Sequence, residues 1–126
     1  MAPEFSDIPL LDQSQICEIY APGDDPEVAA MQSEIWSGIR SDLENDLRSL
    51  TAGPELKAGL HRIRGYAATS GLLRLAAVLE KWEKEENSDD LLLSHLPVAL
   101  AVCTESIAEI EAAFPHIAPG RPGGVP

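Results

Sequence analysis

The 126-residue sequence predicts an all-α fold: an antiparallel four-helix bundle with a short extra N-terminal helix. Three observations predict it. Apolar residues recur at three- and four-residue steps along most of the chain, no stretch alternates as a strand does, and Pro and Gly cut the periodic runs into segments of helix length.

Asp12, with Gln15 three residues later, has the pattern of a capping box and opens a short helix through about Tyr20. APGDDP then breaks the chain, and Asp25 before Pro26 supplies an N-cap and a first-turn proline for the second helix. There Val28, Ile35, Ile39, Leu43, Leu47 and Leu50 mark the expected buried stripe, with Trp36 on its flank and Glu34, Arg40, Glu44 and Arg48 on the wet side. TAGP at 51–54 ends this helix and starts a third, from near Pro54 to about Thr69, whose buried stripe is Leu56, Leu60, Ile63 and Ala67. A fourth, from about Ser70, turns Leu72, Leu75, Leu79 and Trp82 inward and ends in charge at KWEKEEN. Ser88 caps a fifth, which carries Leu92, Leu96, Leu100, Cys103, Ile107, Ile110 and Phe114 and is kinked by Pro97. The bundle thus occupies 11–114, between an N-terminal extension at 1–10 and a Pro/Gly-rich tail at 115–126 that is expected to be disordered.

The formal charge of -12 repels a phosphate polymer, so no nucleic-acid partner is expected. Cys17 and Cys103 lie far apart and match no metal-ligand spacing; both read as small core residues, ahead of a disulfide, in a protein of a reducing compartment. MAPEFSDIPLL lacks the basic start and apolar run of a secretory signal, and nowhere do about 18 apolar residues run together. A cytoplasmic monomer without a membrane partner is expected.

One stretch departs from the general acidity. Residues 56–79 carry Lys57, Arg62, Arg64 and Arg74 and no Asp or Glu, a formal charge of +4. That suffices for one phosphoryl group or an acidic partner and is too little for a duplex. At about 100° per residue with Leu56 at zero, the apolar stripe of the third helix falls between roughly -20° and 40°. Arg64, Lys57, Ala68, His61 and Gly65 then fall near roughly 80°, 100°, 120°, 140° and 180°. The imidazole is therefore expected to face water between two cations and two very small residues. Glycine inside a helix costs about 1 kcal/mol relative to alanine, and Gly65 leaves a notch where another protein can approach the ring. A carboxylate beside an imidazole favours the protonated ring and repels phosphate, whereas Lys57 and Arg64 favour the neutral ring and can stabilise phosphoryl oxygens. The pattern suits a histidine that accepts a phosphoryl group with no acid nearby.

Residues 60–83, LHRIRGYAATSGLLRLAAVLEKWE, resemble the signature of histidine-containing phosphotransfer (HPt) domains: His61, Arg64 and Gly65, then Gly71, Leu75 and a closing Glu83. The helix order and the opening Pro-Leu-Leu-Asp at 9–12 extend the resemblance over nearly the whole domain. Two positions depart from the family. Arg64 stands where lysine is usual and presents a planar fork instead of a point charge; Tyr66, where a small residue is usual, falls near roughly 280°, off the His61 face. The resemblance implies a stoichiometric phosphocarrier and not an enzyme. His61 Nε2 would take a phosphoryl group from a receiver-domain aspartate and pass it to another, with Arg64 and Lys57 stabilising it. Gly65, Ala68, Arg62 and Trp36 would form the docking surface, and Gly71, Leu75 and Glu83 a structural motif. It implies response-regulator receiver domains and a hybrid sensor histidine kinase as partners, with no cofactor of its own and Mg2+ on the receiver.

The sequence holds no glycine-rich nucleotide loop, so direct use of ATP is not expected. Neither His61, His95 nor His116 follows a Glu by three residues, as a di-iron bundle requires, so no metal site is expected. His95 and His116 read as structural or exposed, and Trp36 reads as core before docking. The alternative is a non-catalytic helical adaptor that docks receiver or kinase domains through the basic His61 face. The sequence reads as a free-standing protein, with excision from a larger kinase as the alternative.

Overall fold

The computed structural model describes residues 7–85 and 92–118, apart from the side chains at 92 and 93. These residues form five α-helices and a closing 3-10 turn, with no strand among them: α1 (Gln13–Tyr20), α2 (Pro26–Arg48), α3 (Leu56–Thr69), α4 (Leu73–Glu83), α5 (Leu92–Ala113) and the turn Pro115–Ile117. Ser88, the expected cap of the fifth helix, lies outside the described residues, as do 1–6 and 119–126.

Local chemistry sets the starts of the first two helices. Asp12 Oδ1 accepts from the Gln15 N–H at 3.2 Å, and Asp25 Oδ1 accepts from the Glu27 N–H at 2.9 Å, with Pro26 in the first turn. The expected capping box is only half made. Gln15 does not reach back to Asp12; its side-chain amide donates to the Thr69 carbonyl, and the Asp12 N–H goes to the Gly71 carbonyl at 2.9 Å. Both bonds tie the start of α1 to the end of α3. The extension is also held here, since Arg74 Nε donates to the Ile8 carbonyl at 2.8 Å.

α3 starts at Leu56, two residues after Pro54, and α4 at Leu73, three residues later than Ser70. The delay has a cause in Gly71, whose φ of +85° takes the chain out of helical geometry. The Leu72 N–H bonds the Ala67 carbonyl at 2.9 Å and the Gly71 N–H bonds that of Ala68 at 3.2 Å, the two reverse bonds of a glycine-terminated helix end. A Cβ on Gly71 would lie 2.8 Å from Ile16 Cδ1, within a core where Ile16 is fully buried. Gly71→Ala is therefore expected to cost about 1–3 kcal/mol, read as a lower midpoint of urea unfolding with an unchanged slope.

The core draws Leu56, Leu60, Ile63 and Ala67 from α3, Leu75, Val78, Leu79 and Trp82 from α4, and Ala99, Val102, Cys103, Ile107 and Ile110 from α5. α3 and α4 share the most extensive interface, and α2 packs on α3, α5 and the closing turn. Of the expected stripe, Leu43 and Leu47 in α2 and Leu50 just after it are buried, and Ile39 is half-buried against the core. In the first half of α2 Gln32 and Trp36 turn inward, while Val28 and Ile35 are 39% and 43% exposed. Gln32 is tolerated inside because its amide donates to the Ile19 and Ala21 carbonyls, both at 3.0 Å, and accepts from His116 Nε2 at 3.1 Å. Trp36, 1% exposed, donates its Nε1–H to Glu111 Oε2 at 2.9 Å and meets Tyr20 edge-on.

Two further expectations are corrected. The tail does pack as far as residue 118: Ile117 is fully buried against α2 and α5, since an aliphatic side chain beside Phe114 has core to cover. Of the cysteines only Cys103 is a core residue, its thiol pushed up to about 11 chiefly by burial; Cys17 lies on the exposed side of α1, and both are free thiols. Pro97 lies inside α5 as expected. His95 stands edge-on to Trp82.

Candidate functional site

The residues at the centre of the prediction lie where the helical register puts them. The His61 side chain is 66% exposed. Lys57, Arg62, Gly65 and Ala68 are exposed around it, and a Cβ on Gly65 would meet nothing within 4 Å, so the notch beside the ring is open. Lys57 and Arg62 form no ion pair among the described residues. Leu75 and Gly71 are buried structural positions. Tyr66 points to the other side of α3, where its hydroxyl donates to Asp42 Oδ2 of α2 at 3.2 Å; burial first and this bond second push its phenol above the usual range. Trp36 does not belong to this surface. Its ring is inside, beneath the α2–α5 contact, because the indole N–H finds its acceptor there.

The expectation that acids stay away from His61 is overturned. Glu83, the last residue of α4, reaches the ring: its Oε2 lies 3.0 Å from His61 Nδ1, and its Oε1 accepts from Arg64 Nε at 2.9 Å. The helical wheel of α3 could not show this, because the carboxylate comes from the helix that folds back beside it. Glu83, taken from the sequence as a closing structural residue, is the anchor of the site. Its side chain is 23% exposed, and Arg64 covers it at 31%.

Arg64 also places Nη2 2.8 Å from His61 Nδ1. Guanidinium can only donate and carboxylate can only accept, so Nδ1 serves one of them at a time. With a proton on Nδ1 the ring donates to Glu83, and Nε2 carries the free lone pair. With Nδ1 bare the ring accepts from Arg64, the proton sits on Nε2, and that nitrogen is no nucleophile. The Glu83 contact favours the tautomer with its proton on Nδ1 and the Arg64 contact favours the one with its proton on Nε2, while Arg64 also pairs with the other carboxylate oxygen. No protein group hydrogen-bonds Nε2 among the described residues.

Among the described residues no group of three or more His, Cys, Asp or Glu side chains could hold a metal ion, and no helix is long and apolar enough to cross a membrane. Comparison with known proteins gives no match: neither a family model, nor a curated protein, nor a solved structure is significantly similar to this chain.

Proposed function

We propose that the chain is a histidine phosphotransfer protein that carries a phosphoryl group on His61 between receiver-domain aspartates, built as an antiparallel bundle of α2 to α5 with α1 as the extra helix. The single observation that carries this reading is the His61 ring: two-thirds exposed, contacted at Nδ1 by Glu83 and Arg64, and without a hydrogen-bond partner at Nε2 among the described residues, beside an open glycine notch.

The chemistry balances without an acid or base of the protein's own. The Nε2 lone pair attacks the phosphorus of an aspartyl phosphate in line, the new N–P bond forms as the acyl P–O bond breaks, and the aspartate leaves as a carboxylate. The Nδ1 proton stays in its bond to Glu83, whose charge balances the cation that develops on the ring. Arg64, one turn away, can give up its contact with Nδ1 and donate to a phosphoryl oxygen. Lys57 and Arg62, which form no ion pair among the described residues, offer charge to the phosphoryl group or to the acidic rim of a receiver. Reversal of the same step onto a second aspartate returns the ring to its starting state. The partners in this reading are response-regulator receivers and a hybrid kinase, the Mg2+ is the receiver's, and the compartment is the cytoplasm.

The test is to mix the protein with a receiver domain charged by acetyl phosphate and measure acid-labile, base-stable phosphate on this chain. Stoichiometric labelling that drains into a second, uncharged receiver is expected. Absence of label with every receiver tried, while the receivers still bind, would instead establish the adaptor reading.

A further inference from the structure

The first turn of α4 and the middle of α5 border a groove of about 400 Å³, lined by Leu10, Arg74, Glu105, Ala108 and Glu109. Two features of the fold build it. The segment before α1 is pinned to the start of α4 by one residue: Arg74 Nε donates to the Ile8 carbonyl at 2.8 Å, and the Arg74 backbone N–H to that of Leu10 at 3.4 Å. On α5, Ser106, Ile107 and Ile110 turn into the core, so Ala108 and Glu109, three and four residues on from Glu105, share its outward face.

The two walls have opposite chemistry. A guanidinium carries donors and no acceptor, and a carboxylate carries acceptors and no donor. Arg74 gives one donor to Ile8, yet among the described residues neither it nor Glu105 nor Glu109 forms an ion pair, although all three line one cavity. Charges of opposite sign that border the same space without closing on one another leave the gap to a third group. The half-buried guanidinium of Arg74, with a carbonyl on Nε, suits a planar two-oxygen acceptor such as a carboxylate. A simple anion is disfavoured by the two glutamates and by a chain of charge -12, and a simple cation is disfavoured by Arg74. A molecule that carries both charges gains at both walls, and Leu10 and Ala108 add apolar surface between them.

We propose that this groove binds a small zwitterion, an aliphatic amino acid whose carboxylate takes the Arg74 guanidinium, whose ammonium group meets Glu105 and Glu109, and whose side chain covers Leu10 and Ala108. The bound molecule bridges α5 to the start of α4 and therefore stabilises the folded chain. The site is independent of the phosphotransfer reading, because no hydrogen bond or ion pair among the described residues joins it to His61, Arg64 or Glu83.

The probe is L-leucine, titrated into the 15N-labelled full chain and compared with two molecules of the same shape that keep one charge each: leucinamide as its cation and 4-methylpentanoate as the anion. Leucine is expected to give saturable shifts of the Arg74 Nε–H and of the Leu10, Ala108 and Glu109 amides, with an affinity on the order of millimolar for so small a ligand. Either single-charge probe should bind at least about tenfold more weakly. Glu105→Gln/Glu109→Gln should weaken leucine at least about tenfold while binding 4-methylpentanoate no more weakly than the parent does. Both glutamates are exposed, so circular dichroism should show the fold unchanged. Glu27→Gln/Glu34→Gln on α2 should bind leucine as the parent does. No saturable shift with leucine, equal binding of either single-charge probe, undiminished binding by Glu105→Gln/Glu109→Gln, or equal loss in the α2 variant would overturn the proposal.

Discussion

His61→Gln is expected to reduce phosphoryl acceptance to background while leaving the unfolding midpoint nearly unchanged, because the ring is largely outside the core. Glu83→Ala is the more informative companion. In the proposed mechanism it keeps the nucleophile and removes the group that favours a proton on Nδ1, leaving that nitrogen to accept from Arg64. The ring then spends most of its time with the proton on Nε2, and transfer from a charged receiver is expected to slow by about 10- to 100-fold, the usual scale for a misoriented reacting group. Receiver affinity should change little. A merely structural Glu83 would change stability and not the ring, so the distinguishing readout is the imidazole nitrogen spectrum: the proton should reside on Nδ1 in the parent and move to Nε2 in Glu83→Ala. Removal of Arg64 as well should restore part of the lost rate by taking away the competing donor, a non-additive result that two independent positions would not give.

Trp36→Ala carries the largest expected loss of stability, about 3–5 kcal/mol, against total stabilities of about 5–15 kcal/mol for domains of this kind. The indole is almost wholly buried and packs edge-on to Tyr20, and its Nε1–H and Arg40 share the same oxygen of Glu111. Truncation opens a cavity between α2, α5 and the end of α1 and strips a donor from a carboxylate whose side chain is only 20% exposed. Trp36→Phe should retain most of the packing and lose about 1.5–3 kcal/mol, the worth of a hydrogen bond to a charged acceptor. Urea unfolding followed by circular dichroism measures both. Near-equal losses in the two variants would mean that the Glu111 bond, and not the packing, dominates.

Much of this could be read from the chain. The caps at Asp12 and Asp25, the buried faces of α3 and α4, and the outward direction of His61 follow from residue type and a 3.6-residue repeat, which act locally. What could not be read depends on contacts between distant residues. Glu83 is 22 residues from His61 and meets it only because Gly71 turns α4 back along α3. In the first half of α2, Val28 and Ile35 fit a helical repeat as well as Gln32 does, and apolarity favours them over it; Trp36, which reads as core on the flank of that stripe, is buried. Gln32 goes inside because two carbonyls at the end of α1 and His116 complete its hydrogen bonds, partners invisible to a single-helix view. Ile117 was lost among prolines and glycines for a similar reason: composition argued for a loose tail, while one aliphatic side chain with a core to cover was enough to dock it.

The claim that His61 is a nucleophile at Nε2, poised by Glu83 at Nδ1, is tested most directly by locating the phosphorus. Protein labelled with 15N in its histidines, charged from a receiver, should show one phosphoramidate, on Nε2 of His61, with the proton still on Nδ1. Phosphorus on Nδ1, on another residue, or on no residue while the receiver remains charged and bound would contradict it.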